Sequence, residues 1–212
     1  TAVLSGVQAF AQICNDDVIR YPDATQTRTE IRIPDLPGLV TLKCELHIHT
    51  CFSDGCVWPT ERAREAWRDG LDAIFITDHL EYSPHKSKGL LNCDHNTAYE
   101  LAKSYCDSHD IMVLPGAEVT RKKPFGHMNA LFVTDANRLI TDDPVDAVRI
   151  ARSQGAVLMW NHPGWPDEKC TFHPVQDTLV REGLIDLMEV HNCSETYPRS
   201  FDWVDEYGFA PA

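Results

Sequence analysis

Apolar residues along this chain fall in short blocks separated by polar and Pro/Gly-rich stretches, and blocks of two kinds take turns. Short, mostly apolar runs bounded by turn residues predict buried strands over 39–48, 72–77, 111–115, 129–133, 156–160 and 184–190. Between them, apolar positions recur at helical spacing: Ala63, Ala66 and Trp67 within 60–69, then Ala98, Leu101, Ala102 and Tyr105 after Asp94, then Val145, Val148 and Ala151 within 144–153. Pro59 and Thr60 start the first of these helices and Gly70 stops it. Shorter helices are predicted near 174–181 and 201–207, and 209–212 reads as the opening of a seventh strand. Strands alternating with helices predict a parallel α/β sheet, barrel-like or doubly wound. Residues 80–93 form a long polar loop, and a basic loop, Arg121 to Gly126, follows the third strand.

Residues 12–38, with Pro22, Pro34, Pro37 and Gly38, read as an irregular lead-in to one folded domain over 39–212. Residues 1–11 resemble the tail of an export signal, with Ala9-Phe10-Ala11 as a small-x-small cleavage site, so the expected location is periplasmic or secreted, and otherwise cytoplasmic. The 212 residues suffice for one domain with its own core. No run approaches membrane-spanning length.

A net charge of −13 speaks against nucleic acid held on a basic patch, because backbone affinity rests on Lys and Arg. It leaves room for a phosphate substrate, since bound divalent cations invert the local potential. The eight cysteines form no Cys-x-x-Cys pair, which disfavours a thiolate zinc site. Cys51 and Cys56 are a candidate disulfide pair, and most of the others read as small buried hydrophobes.

The chemistry starts at His47-Ile48-His49, followed by Asp54-Gly55. Residues i and i+2 of a strand share a face, so both imidazoles reach one side, and the Ser53-Asp54-Gly55 turn brings a carboxylate back toward them. Imidazole and carboxylate together suit zinc, manganese or iron. Further metal-capable residues stand just past the ends of other strands: Asp78-His79, Glu118, His162 and His191, with His127 leading into the 129–133 strand. Parallel α/β folds place their sites at that end.

In order, His-x-His-x4-Asp-Gly, Asp-His, Glu, Gly-His and Asn-His-Pro resemble the polymerase and histidinol phosphatase (PHP) superfamily over roughly residues 40–212. The resemblance implies a distorted (β/α)7 TIM-like barrel binding two to three divalent ions, and a phosphoesterase that hydrolyses a small phosphate mono- or diester by attack of a metal-bridging hydroxide. It implies His47 and His49 on a first ion, Glu118 bridging to a second held by His127 and His162, and Asp54 and His79 on a third. The family closes its site with an Asp-x-His that this sequence lacks, so the chain is expected to be cut short before the last strand. Glu189-Val190-His191 lies on the preceding strand and is expected only to line the site. His85 and Arg121 are candidate catalytic residues, and Lys86 and His191 candidate substrate contacts. Asp78 is expected to orient His79, and Trp58, Trp160 or Trp165 could wall an aromatic pocket. Amide or ester hydrolysis by the same metals, and an inactive metal-stabilised binding module, remain as alternatives. Substrate identity and oligomeric state are not encoded in any motif.

Overall fold

The computed structural model of the chain describes residues 27–91, 94–166 and 169–212, so the expected signal remnant lies outside the described residues, as do Cys14 and Cys93. Seven strands form one curled sheet in sequential order: β1 (Cys44–Ile48), β2 (Ala73–Ile76), β3 (Met112–Thr120), β4 (His127–Leu131), β5 (Val157–Trp160), β6 (Leu187–Met188) and, after a small hairpin of β7 (His191–Asn192) and β8 (Glu195–Thr196), β9 (Ala210–Pro211). All neighbours pair in parallel except β4, which is antiparallel to both β3 and β5. The uniformly parallel sheet expected from the pattern is corrected at this strand. A parallel crossover needs a dozen or more residues, and the loop between β3 and β4 is only a short hairpin connection. The Asn129 side chain donates to the Leu46 carbonyl at 3.0 Å, joining the fourth strand to the first across the inner face and showing how far the sheet curls. The result is a distorted TIM-like half-barrel.

The outer face carries two apolar clusters. Ile74, Ile76 and Val113 pack with Ala63 and Ala66 of α1 (Pro59–Asp69) and Ala98 and Ala102 of α3 (Thr97–Lys103), a short α2 (Pro84–Ser87) having intervened in the polar loop. Ala117, Val119, Met128, Ala130 and Leu158 pack with Val148 and Ala151 of α4 (Pro144–Ser153), Leu179 of α5 (Pro174–Arg181) and Trp203 of α6 (Pro198–Tyr207). Small residues on α1, α3 and α4 let these helices lie close on the sheet. Proline occupies the first turn of α1, α4 and α6, where its missing N–H costs nothing, and the Asp143 side chain caps α4 through Val145 N at 2.8 Å.

Two boundaries differ from the sequence pattern. Residues 39–43 make no ladder pairs and leave Leu39, Val40 and Leu42 exposed, because the Pro37-Gly38 turn, closed by Leu39 N to Leu36 O at 2.9 Å, delays pairing until Cys44. The lead-in is nevertheless tied down: Arg28 donates to the carbonyls of Asp110 and Leu71 and pairs with Asp72 at 2.9 Å. Cys51 and Cys56 are not joined in a disulfide, and none of the six described cysteines is fully buried. Cys106 opens a 3-10 turn, and it and Cys170 pack as partly buried side chains against the two core clusters.

Candidate metal centre

Strand alternation assembles the site. Glu118 and Thr120 of β3 share the inner face and lie opposite Asn129 and His127 of β4, the registered pairs being Glu118 with Asn129 and Thr120 with His127. His79 follows β2 and bridges to Glu118, His47 and His49 extend from β1, and His162 follows β5. Inward-facing positions here carry polar residues, whereas outward-facing positions carry the core.

Glu118 is fully buried at the centre of this cluster. Its Oε2 lies 2.8 Å from His47 Nε2 and 3.2 Å from His49 Nε2, and its Oε1 lies 2.6 Å from His127 Nδ1 and 3.1 Å from His79 Nδ1. One carboxylate oxygen thus faces each of two imidazole pairs. Among the described residues four overlapping sets of donors converge: His47, His49 and Glu118; His79, Glu118 and His127; His49, Asp54 and His79; and His47, His162 and Glu189. The grouping differs from the sequence-based partition in two respects. His162 converges with His47 and Glu189, although its ring also stands 4.9 Å from that of His127, and His79 reaches two sets.

Two observations fit these residues to divalent cations. Donor atoms about 2.1 Å from one ion lie roughly 3 Å or slightly more apart. The first set shows that spacing, with His47 Nε2 and His49 Nε2 3.0 Å apart, a pairing in which two imidazoles turn ring nitrogens toward one point. Second, buried His127 Nδ1 has no hydrogen bond of acceptable geometry despite its closeness to Glu118. A lone pair aimed beside the carboxylate, not along a hydrogen bond to it, is what shared ligation requires.

Electrostatics separate the histidines. Burial opposes a charged His47, but its contacts with Glu118 and Glu189 outweigh that and hold it up at about 10. Burial also works against ionised Glu118, yet His127, His47, His49 and His79 keep it well below the usual carboxylate range. Glu189 is lowered in the same way, burial being outweighed chiefly by His47. His79 is raised, its burial overcome by Glu118. Burial takes His162 down to about 4, so it is a neutral imidazole suited to ligation.

Supporting contacts fix the ligands. Asp78 does not orient His79 as expected, since adjacent residues on extended backbone face opposite ways. Its carboxylate instead ties down the loop after β1, accepting from Thr50 N at 2.7 Å, Thr50 Oγ1 at 2.6 Å and Ser53 Oγ at 2.5 Å. Thr120 Oγ1 meets His79 Nδ1 at 2.5 Å. Glu189, expected only to line the site, meets His47 Nδ1 at 2.8 Å through Oε1 and accepts from His162 N at 2.6 Å through Oε2. That second contact holds His162 in the left-handed region at φ 23°, a backbone state uncommon outside glycine. Asn192 in turn donates to Glu189 at 2.8 Å. The same loop after β1 depends on Gly55: a Cβ there would stand 2.8 Å from the carbonyl carbon and oxygen of His49 and from the carbonyl oxygen of Thr50. Gly55→Ala is expected to lower metal content at His49, Asp54 and His79 and to cost about 1–3 kcal/mol of stability, read by elemental analysis and thermal melts.

Other candidates fall elsewhere. His85 meets the Gly55 carbonyl at 3.3 Å, outside the cleft, and exposed Lys86 lines a separate small cavity with Asp78 and His95. His191 is turned away in the β7–β8 hairpin, with its ring bonded to Thr196 and the Cys193 carbonyl. Its place beside the cluster is taken by Glu189 and Asn192. Arg121 does line the cleft, paired with Glu81 and donating to the Thr141 carbonyl at 2.7 Å. Trp160 is core, stacked on Trp203, and Trp58 packs on Phe52, whereas Trp165 stands at the cleft.

This architecture recurs in solved proteins. A two-domain protein of Bacteroides vulgatus containing a predicted PHP-like metal-dependent phosphoesterase superposes with a TM-score of 0.84 at 42% identity, over 88% of this chain and 55% of its own. The chain belongs to the PHP superfamily. Two comparisons at lower identity bear on architecture alone: a Bifidobacterium adolescentis protein, inferred to be a metal-dependent phosphoesterase (15% identity, TM-score 0.59, 81% of this chain and 86% of that one), and an amidohydrolase of Chromobacterium violaceum solved with sulfate and no metal (16%, 0.57, 80% and 85%). An uncharacterized protein of Methanocaldococcus jannaschii is 39% identical over 83 residues, 39% of this chain and 36% of that protein. The PHP chain described here therefore spans about half the length of its Bacteroides relative and about a third of the archaeal one. No family model matches the chain.

Proposed function

We propose that this PHP chain is a multinuclear metal-dependent phosphoesterase acting on a phosphate mono- or diester. The observation that carries the reading is Glu118, one buried carboxylate presenting a separate oxygen to each of two imidazole pairs. The Bacteroides relative, which contains a predicted PHP-like metal-dependent phosphoesterase, supports the reaction class. His47, His49, Asp54, His79, Glu118, His127 and His162 would hold divalent ions, with Glu189 joining them. Bound ions would supply a water of lowered pKa and offset charge on the phosphoryl oxygens.

The chain's own residues do the rest. Lys122 and Lys123 on the β3–β4 hairpin line the cleft beside Arg121, placing cationic groups at the mouth of a protein whose net charge is −13. They attract and orient an anionic ester. Arg121 is held by Glu81 and by backbone carbonyls, so its guanidinium is fixed in position and contributes field more than new hydrogen bonds. Glu189 and Thr120 keep His47, His162 and His79 in place.

The test compares p-nitrophenyl phosphate, bis-p-nitrophenyl phosphate and p-nitrophenyl acetate, with chelator and after addition of Mn2+ or Zn2+. Turnover of at least one phosphate ester that chelator abolishes and metal restores is expected. Chelator-sensitive turnover of the acetate alone would establish a carboxyl-ester hydrolase instead, and tightly bound metal with no turnover of any ester would establish a binding module.

A further inference from the structure

Around the metal centre the cleft encloses about 1010 Å3, at the upper end of small-molecule sites, so a phosphoryl group at the cluster fills only part of it. Two large aromatic side chains stand in the remainder. Trp165 is 50% exposed, with its ring centroid 5.0 Å from that of His127 and 5.6 Å from that of His162. Tyr82 is 52% exposed and lies 5.8 Å from His79. His79 and His127 both contact Glu118 Oε1, so each aromatic ring packs on an imidazole that meets the same carboxylate oxygen.

The sequence makes this placement specific. Of the five tryptophans, Trp160 and Trp203 are buried against each other, Trp58 packs on Phe52 and Trp67 on His109, and only Trp165 lines the cleft. Pro166 and Cys193 also line this cleft, so apolar surface stands in it together with the cationic Arg121, Lys122 and Lys123. A half-exposed indole next to a buried polar cluster gains little from the protein itself. It offers a flat π-surface to whatever is attached to the phosphate.

Resting on the phosphoesterase reading above, we infer that Trp165 and Tyr82 are specificity residues that stack a planar ring, so the natural substrate is a phosphate ester of an aryl or heteroaryl group. The phosphate sits at the metal centre under the basic hairpin, and the ring lies against Trp165 or Tyr82. Stacking of a flat ring on an aromatic side chain is sequence- and substituent-tolerant, which points to a class of substrates and not to one compound. An alkyl phosphate would bind through its charged end alone.

Non-hydrolysed mimics isolate this step from catalysis. Calorimetric dissociation constants for phenylphosphonate and ethylphosphonate are to be measured on the metal-loaded chain, with metal content determined alongside. Phenylphosphonate is expected to bind about 10-fold more tightly, and that ratio is expected to collapse toward one in Trp165→Ala, to shrink in Tyr82→Ala, and to be largely retained in Trp165→Phe, which keeps a ring. Equal binding of the two phosphonates by the unaltered chain, with either of them bound, overturns the aromatic specificity while leaving the phosphoesterase reading standing. A ratio that survives in Trp165→Ala and Tyr82→Ala alike overturns the assignment of these residues. Failure of both phosphonates to bind a metal-replete chain overturns the specificity and the phosphoesterase reading together.

Discussion

Glu118→Ala is expected to lose at least half of the bound metal and to lower phosphate-ester turnover by about 100-fold or more, since even outer partners of metal ligands cost 10- to 100-fold. The carboxylate belongs to two of the four donor sets, so one substitution weakens both, whereas loss of His127 would touch a single set. Glu118→Gln is the sharper variant. It keeps the volume and one oxygen acceptor but removes the charge that balances four imidazoles, and should bind less metal than the parent. A surface carboxylate supplies the contrast: Glu182 pairs with Arg149 at 2.6 Å in solvent, and Glu182→Ala is expected to change neither metal content nor turnover. Elemental analysis of the three variants decides the matter. Parental metal content in Glu118→Ala would remove the shared carboxylate from the centre of the site.

Asp78→Ala is expected to produce the largest loss of stability among the residues around the site. Three donors, Thr50 N, Thr50 Oγ1 and Ser53 Oγ, converge on this buried carboxylate, and without it they are left in a place water does not readily reach. Hydrogen bonds to a charged acceptor contribute about 1.5–3 kcal/mol each, and abandoned buried donors carry a similar penalty, so a net cost of about 3 kcal/mol is conservative. For a domain of this size that is roughly 6 to 12 °C in Tm. Because the loop after β1 also carries Asp54, the same variant should hold less metal at His49, Asp54 and His79 even at temperatures where it stays folded. A melting temperature within about 2 °C of the parent in the presence of chelator would show that the loop is held by other contacts.

Much of this site could be read along the chain, and the reasons are geometric. Most of the ligand-bearing segments follow a run whose apolar pattern marks a strand, and parallel strands deliver their ends to one mouth. His47 with His49, Asp54, His79, Glu118, His127 and His162 are accordingly brought together by positions the sequence already singles out. The reversed direction of β4 was also encoded, in the shortness of the segment between Thr120 and His127, but strand-like composition does not carry direction. Glu189 was harder to place. It follows a two-residue ladder whose apolar run gives no indication of where the strand stops, so whether its side chain reaches His47 depends on a local turn. His191, two residues on, enters a hairpin that the polar sequence around it does not announce. His85 and Lys86 lie in the one-turn α2 inside a polar segment whose path is set by packing, and the pattern of such a segment reveals least about which way a side chain points.

The hairpin joining β3 to β4 keeps two tasks apart. Glu118 and His127 are locked in place by the five registered pairs of the ladder, whereas Arg121 to Gly126 form its tip. The tip is itself anchored through Phe125, buried in the core, and through the Pro124 and Phe125 carbonyls, which accept from Gln176, so it is the outward side chains, Lys122 above all, that can be exchanged without moving the paired strands below. The electric character of the entrance can therefore be rewritten while the metal ligands stay fixed, which makes the hairpin tip the natural place to graft a new substrate preference onto this scaffold.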